Sequence, residues 1–278
     1  MTTSAMTATT GHAPGAGFAE ATVAVQGFTV RYFQAGEGGD PLAVLHGAGG
    51  PRFSAALDLL AQQRRVILLE MPGFGEQPND VHATPAELAE AAAEAFEAIG
   101  ADRYHLLGTS FGGGIALHLA LAHPDRVISL VLEAPAAFRE GATSPADIGP
   151  QDMVRRFRAH PERIPAFTPP DPAVMARTWP LVERLLASRP EFDQELADLL
   201  PDVAVRTLVL FGDRDGIIPA ENGRTYRRLM PNCSYILVHD AAHDIEGDRA
   251  EAFADVVGDF LARGWQFLLP EQSTLINP

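Results

Sequence analysis

The sequence predicts an α/β protein: a mostly parallel sheet flanked by helices, with a helical segment inserted before the last two strands. Three observations point there. Short apolar, β-rich runs alternate with longer helical stretches along most of the 278 residues. That rhythm breaks between about residues 137 and 202, where prolines cluster. A glycine-bracketed serine, Gly108-Thr109-Ser110-Phe111-Gly112, stands between a strand run and a helix run.

The elements follow in order. Residues 21–36 (ATVAVQGFTVRYFQAG) read as two strands around a turn at Gly27. PLAVLHG (41–47) and RRVILLE (64–70) are buried strands, each running into a glycine-rich turn. Residues 84–100 form a helix, with Thr84 at the N-cap, Pro85 in the first turn and Gly100 at the C-terminal end. RYHLLG (103–108) and VISLVLE (127–133) are strands flanking the helix that begins after Ser110. VRTLVLFG (205–212) and CSYILVH (233–239) are the last two strands, and residues 249–263 close the chain's core as an amphipathic helix. The expected division is a flexible N-terminal segment (1–21), a core made of 22–136 and 203–263, a helical cap over the site (137–202) with short helices near 174–188 and 191–200, and a C-terminal tail (264–278).

Composition narrows the function classes. The formal charge is −15, and so acidic a surface repels phosphate backbones and anionic lipid, so neither nucleic acid nor membrane is an expected partner. All 21 basic residues are arginine; without a lysine, Schiff-base, Ser–Lys and Walker-type phosphate chemistry lack a necessary atom. Cys233 is the single cysteine, so no intramolecular disulfide forms and a cytoplasmic setting is the expectation. The histidines share no ligand spacing with carboxylates or Cys233; no metal and no cofactor are expected.

The chemistry sits in three turns. A nucleophile on a tight strand-to-helix turn needs small neighbours, because its backbone is strained and its hydroxyl must stand clear of the sheet near the positive end of a helix. Ser110 meets that description. A serine also needs a base, and the base an orienting acid. The strand 205–212 is followed by Asp213-Arg214-Asp215, and the strand 233–239 by Asp240-Ala241-Ala242-His243-Asp244. On residues alone, Asp213 and Asp215 both remain candidate acids, and Arg214 stands ready to pair with either.

The chain resembles the α/β-hydrolase superfamily, in its lidded branch of small serine esterases and carbon–carbon bond hydrolases. The resemblance covers about residues 22–263 and rests on His46-Gly47-Ala48-Gly49-Gly50, Pro72-Gly73-Phe74-Gly75, the turn at Ser110 and the two later turns. It implies a catalytic triad of Ser110, Asp215 and His243, with the backbone N–H groups of Ala48 and Phe111 forming an oxyanion hole. In the family pattern the acid lies three residues beyond the turn glycine, which favours Asp215 over Asp213, with Glu133, at the end of the strand 127–133, a rarer family location for it; the histidine follows a short small-residue turn, which favours His243 over His239. Glu70 departs from the aspartate that the family commonly carries two residues before Pro72, which bears on a local loop contact.

The function this implies is hydrolysis of a small carboxylic ester through an acyl-enzyme, with substrate contacts drawn from unidentified cap residues in 137–202. Alternatives stay open: carbon–carbon bond cleavage of a diketone-like ring-cleavage product, cofactor-free oxygenation or perhydrolysis, and a ligand-sensing relative that keeps the triad. His46 reads as a brace for its loop, and His105 and His118 as structural residues. The basic run from Met153 to His160 reads as a solvated helix face, with an arginine steering a substrate carboxylate as the alternative. The apolar tail Trp265-Gln266-Phe267-Leu268-Leu269 either folds back on its own core or packs on a second subunit as a homodimer.

Overall fold

The computed structural model describes residues 13–143, 149–163, 172–187 and 190–267. Gln26 and Gly27 both hold positive φ (47° and 84°), the two-residue turn whose twist suits a hairpin. It joins β1 (Ala19–Val25) to β2 (Phe28–Ala35). The remaining strands are β3 (Leu42–Leu45), β4 (Val66–Leu69), β5 (Tyr104–Thr109), β6 (Val127–Glu133), β7 (Arg206–Gly212) and β8 (Cys233–Val238). They form one sheet in the order β1-β2-β4-β3-β5-β6-β7-β8. Pairing is antiparallel at β1–β2 and β2–β4, and parallel from β4 through β8.

Successive side chains leave a strand on opposite faces, so each central strand feeds two cores. Ala43, Leu45, Ile67, Leu69, Val209 and Phe211 join the core beneath α2 (Pro85–Ala98) and α3 (Phe111–Ala122). Leu42, Val44, Val66, Leu68, Leu208 and Leu210 join the one beneath α1 (Ala55–Ala61) and α9 (Ala250–Arg263). Helices on both sides are why these strands are apolar throughout rather than alternating. Each Val, Leu, Ile or Phe side chain among them contributes about 1.5–3 kcal/mol on burial.

Because β3 and β5 to β8 run the same way, their carboxyl ends open on one edge of the sheet, where open α/β folds place their sites. Register then fixes the neighbours: Leu45 lies beside Gly108, Thr109 beside Glu133 and Gly212 beside Val238.

Between β6 and β7 the chain leaves the sheet. Its described elements are α4 (Pro150–Phe157), a 3₁₀ turn (Pro161–Arg163), α5 (Pro172–Val182), a π-helical turn (Glu183–Ala187), α6 (Gln194–Leu199) and a second 3₁₀ turn (Leu200–Asp202). Pro180 lies inside α5 and removes one helical hydrogen bond just before the π-helical turn. The insert is tied to the loop after β4: Thr178 Oγ1 donates to Gly73 O (3.1 Å), and Arg184 donates through Nε to His82 O (3.1 Å) and through Nη2 to Asn79 O. Two further elements complete the chain's described part, α7 (Gly223–Leu229) and α8 (Ile245–Asp248).

Some expectations need correction. The segment 1–21 is not flexible to its end: residues 14–17 form a turn in which Gly15 N donates to Asp58 (3.1 Å), Phe18 packs on Phe53, and β1 begins at Ala19. Residues 1–12 lie outside the described residues, as do 268–278 of the tail and 144–148, 164–171 and 188–189 of the insert. The basic run is solvated only as far as Arg156; Phe157 turns inward and Arg158 is buried, because both meet the turn carrying His243. Arg214 pairs with neither Asp213 nor Asp215 but with Asp240 (2.9 Å). Glu70 is buried and takes two hydrogen bonds from Arg31, while Gly75 leaves room for its carboxylate. Of the tail, Phe267 packs edge-on against Phe260 and Trp265 is 52 % exposed. No helix among the described residues is long and apolar enough to cross a membrane.

The start of α2 has a reciprocal cap: Glu87 N donates to Thr84 Oγ1, and Thr84 N donates to the Glu87 carboxylate (both 3.2 Å). Thr84→Ala is expected to lower unfolding free energy by about 1 kcal/mol in urea denaturation. Hydrolytic activity should stay unchanged, because α2 supplies no group to the edge where the strands end.

Candidate active site

Ser110 sits between β5 and α3 with φ 53° and ψ −114°, a left-handed backbone that a residue with a side chain rarely adopts. Three hydrogen bonds hold it there: Ser110 N to Glu133 O (2.8 Å), Ala136 N to Ser110 O (2.9 Å) and Gly113 N to Ser110 O (3.0 Å). The flanking glycines are required by close approach. A Cβ at Gly108 would stand 2.6 Å from Gly112 O, and one at Gly112 would stand 2.4 Å from Leu45 O.

The two later turns meet each other and the serine. His243 Nε2 lies 3.0 Å from Ser110 Oγ, and His243 Nδ1 lies 2.8 Å from Asp215 Oδ2. The other Asp215 oxygen accepts from Ile217 N (2.8 Å) and Ile218 N (2.9 Å), so the carboxylate is oriented by its own turn before it meets the imidazole. Both side chains are buried. The turns touch at Gly212, where a Cβ would lie 2.2 Å from Ala241 O, and Arg214 N donates to Ala241 O (2.9 Å).

The other candidate acids are occupied elsewhere. Asp213 accepts from His239 Nδ1 (2.6 Å) and Asp240 N (2.9 Å) on the outer side of the turn. Glu133 accepts from Thr109 Oγ1 (2.9 Å) and Glu246 N (3.0 Å) beneath the serine. With Nδ1 of His243 turned to a carboxylate, its Nε2 is left to take a proton from the serine hydroxyl.

The glycine-rich loop after β3 runs close by: a Cβ on Gly47 would lie 3.6 Å from Ser110 Cβ. Among the described residues neither the Ala48 nor the Phe111 N–H has a protein acceptor, so both are available to an oxygen bound beside Ser110. His46 braces the loop. Its Nδ1 lies 2.7 Å from Gly47 O, and its Nε2 accepts from Met71 N at 3.1 Å. Burial pushes its pKa down to about 4, so it stays neutral with the proton on Nδ1. His105 likewise pairs with Ser129 inside the sheet (2.8 Å).

Beneath the site lies a set of buried acids that sequence reasoning missed as a group. Burial, then the charges of Glu246 and Asp244, hold the Glu133 carboxyl well above the usual range. Burial pushes Glu246 up to about 7, outweighing the pull of Arg52, whose guanidinium lies 3.6 Å from Glu246 and closer, at 2.6 Å, to Asp244. No local signal marks Glu246: it is one carboxylate in an acidic turn until folding stacks it under Glu133. Among the described residues, no three His, Cys, Asp or Glu side chains are grouped so as to hold a metal ion.

A family model described as the alpha/beta hydrolase fold matches residues 40–179. Among curated relatives, the chain is 31% identical to a dihydrolipoyllysine-residue acetyltransferase component of the acetoin cleaving system from Pseudomonas putida, over 82% of this chain and 65% of that one. It thus spans less than two thirds of that relative's length. It is 29% identical to a 2-hydroxymuconate semialdehyde hydrolase from Pseudomonas putida, covering 85% of this chain and 92% of the relative. It is 32% identical to a pimeloyl-[acyl-carrier protein] methyl ester esterase from Neisseria meningitidis, covering 78% and 92%.

The buried acids give stability a pH dependence. Their folded pKa values are raised, so the fold favours their neutral forms: that stability is fully present below pH about 4.5 and is lost as pH rises through about 7. The melting temperature should therefore carry a downward component between pH about 5 and about 8 that Glu246→Gln reduces, measured by differential scanning calorimetry. Equal slopes in the two proteins would mean that Glu246 is ionised in the fold.

Proposed function

The chain belongs to the alpha/beta hydrolase fold family, and on that premise we propose that it is a serine hydrolase cleaving a small carboxylic ester through an acyl-enzyme. The observation that carries the reading is the unbroken series Ser110 Oγ–His243 Nε2, His243 Nδ1–Asp215 Oδ2, with 3.0 and 2.8 Å separations. Ser110 Oγ attacks the ester carbon as His243 takes the hydroxyl proton, and Asp215 holds the imidazole in the tautomer that can accept it. The Ala48 and Phe111 N–H groups stabilise the developing oxyanion, typically worth about 3 kcal/mol per donor. The imidazolium returns its proton to the departing alcohol, and water, activated by the same histidine, then releases the acid and restores the serine.

The insert between β6 and β7 acts as the cap and supplies the substrate contacts; Phe157 packed on the His243 ring, at 5.3 Å between centroids, supports that placement. Likeness to the methyl ester esterase supports an ester as substrate. Likeness to the 2-hydroxymuconate semialdehyde hydrolase supports a second reading, carbon–carbon bond cleavage of a diketone-like ring-cleavage product by the same residues. For the tail, the Phe267–Phe260 contact supports folding back on its own core over a role in a homodimer. A cytoplasmic setting fits the single, buried Cys233.

Ser110→Ala should abolish labelling by a fluorophosphonate probe with an unchanged melting temperature. Asp215→Asn should lower kcat on a short-chain p-nitrophenyl ester by about 10³–10⁴-fold, and Asp213→Asn by less than about tenfold. Comparable losses in the two aspartate variants, or a larger one at Glu133→Gln, would move the acid. An ultraviolet assay on dienol substrates separates the two readings: turnover there and none on the ester selects carbon–carbon cleavage.

A further inference from the structure

Asp244 follows His243 directly, and its fully buried carboxylate is met from three parts of the chain. Arg52, at the end of the glycine-rich loop after β3, donates from Nη1 to Oδ2 at 2.6 Å and from Nη2 to Oδ1. Arg158, just beyond α4 in the insert, reaches Oδ2 at 2.9 Å. Gly247 N donates to Oδ1 at 3.2 Å; a Cβ on Gly247 would lie 2.3 Å from Oδ2, so the approach needs glycine.

Other contacts between the same segments run in parallel. Asp244 N donates to Phe157 O at 3.0 Å, and Arg52 lies over the Phe157 ring at 5.6 Å. Ala159 N donates to Asp248 (2.8 Å), and His160 Nε2 lies 2.8 Å from Asp240 on the near side of the same turn. Gly216 N donates to Arg156 O at 3.1 Å, which carries the tie on to the turn bearing Asp215.

We infer that Asp244 and Arg158 are positioning residues for His243, and that through them the insert sets the geometry of the histidine. The inference rests on the proposed catalytic roles of Ser110, His243 and Asp215. His243 is carried on a turn, and a turn is a precise mount only when its neighbours are locked. Asp244 supplies the lock: four donors fill its two oxygens, and they come from the loop of Ala48, from the insert and from α8. A shift of residues 156–160 therefore pulls on the residue next to the imidazole. A misplacement of about 1 Å at a reacting group costs on the order of 100-fold in rate. Arg158 is the informative residue to change, because Arg52 remains to neutralise Asp244 when Arg158 is gone.

The test is the rate constant for covalent modification of Ser110 by a fluorophosphonate, measured for the full chain alongside steady-state ester kinetics and melting temperature. Arg158→Met should slow modification about ten- to a hundredfold and lower kcat in step, with KM within about twofold. Arg158→Lys, which keeps a cation at that position, should recover most of the loss. In an Asp244→Asn background, Arg158→Met should change the rate by less than about twofold, because both act through one carboxylate. Modification of Arg158→Met at the wild-type rate, or an undiminished effect in the Asp244→Asn background, would overturn the inference. If Asp244→Asn does not fold, the contrast between Met and Lys at position 158 decides: equal rates in the two reject it. A wild-type protein that fails to react at Ser110 removes the catalytic reading and this inference with it, whereas a reactive wild type with unaffected variants removes the inference alone.

Discussion

The backbone of Ser110 is held in a conformation that costs about 1–3 kcal/mol, and the arrangement around it is what keeps it there. Its N–H is taken by Glu133 O and its carbonyl by Ala136 N and Gly113 N, so the turn is bolted to the end of β6. The glycines beside it let β3, β5 and α3 approach more closely than any side chain would allow. Once the hydroxyl stands clear of the sheet in this way, parallel register brings the ends of β7 and β8 past it. Gly212 then lets the two turns touch, and the separations among Ser110, His243 and Asp215 follow from that contact. The geometry is a property of the sheet edge more than of three side chains.

This explains why the turns of the candidate serine and histidine and most of the strands were legible in the sequence. Strand identity came from local apolar runs, and the turn at Ser110 from a glycine pattern that exists for steric reasons confined to a few residues. The start of α2 was legible for the same reason, since Thr84 and Pro85 act within one turn, whereas the partner carboxylate of Glu87 came only with the structure. The candidate acid was less so. Asp213 and Asp215 differ by two positions, and only the folded turn sends one to Ile217 N, Ile218 N and His243 and the other to His239 and Asp240 N.

What could not be read was pairing between distant segments. Arg52 and Asp244 are 192 residues apart, and nothing near either announces the other. The basic run of the insert reads as a solvated helix face, yet Arg158 lies past the end of α4 and pairs with Asp244. The N-terminal segment looked disordered because its residues are small, although the turn at Gly15 finds a carboxylate on α1. In each case the missing information is tertiary: a charged side chain finding a distant partner, which outweighs local composition.

The proposed route acylates Ser110 during turnover, and an acid quench within the first turnovers on a short-chain p-nitrophenyl ester traps that adduct. Mass spectrometry of the digested protein should then find one acyl group per chain, attached to Ser110, together with a p-nitrophenol burst equivalent to one site. Hydrolysis of the ester without that adduct, or with the acyl group on another residue, would rule out Ser110 as the nucleophile.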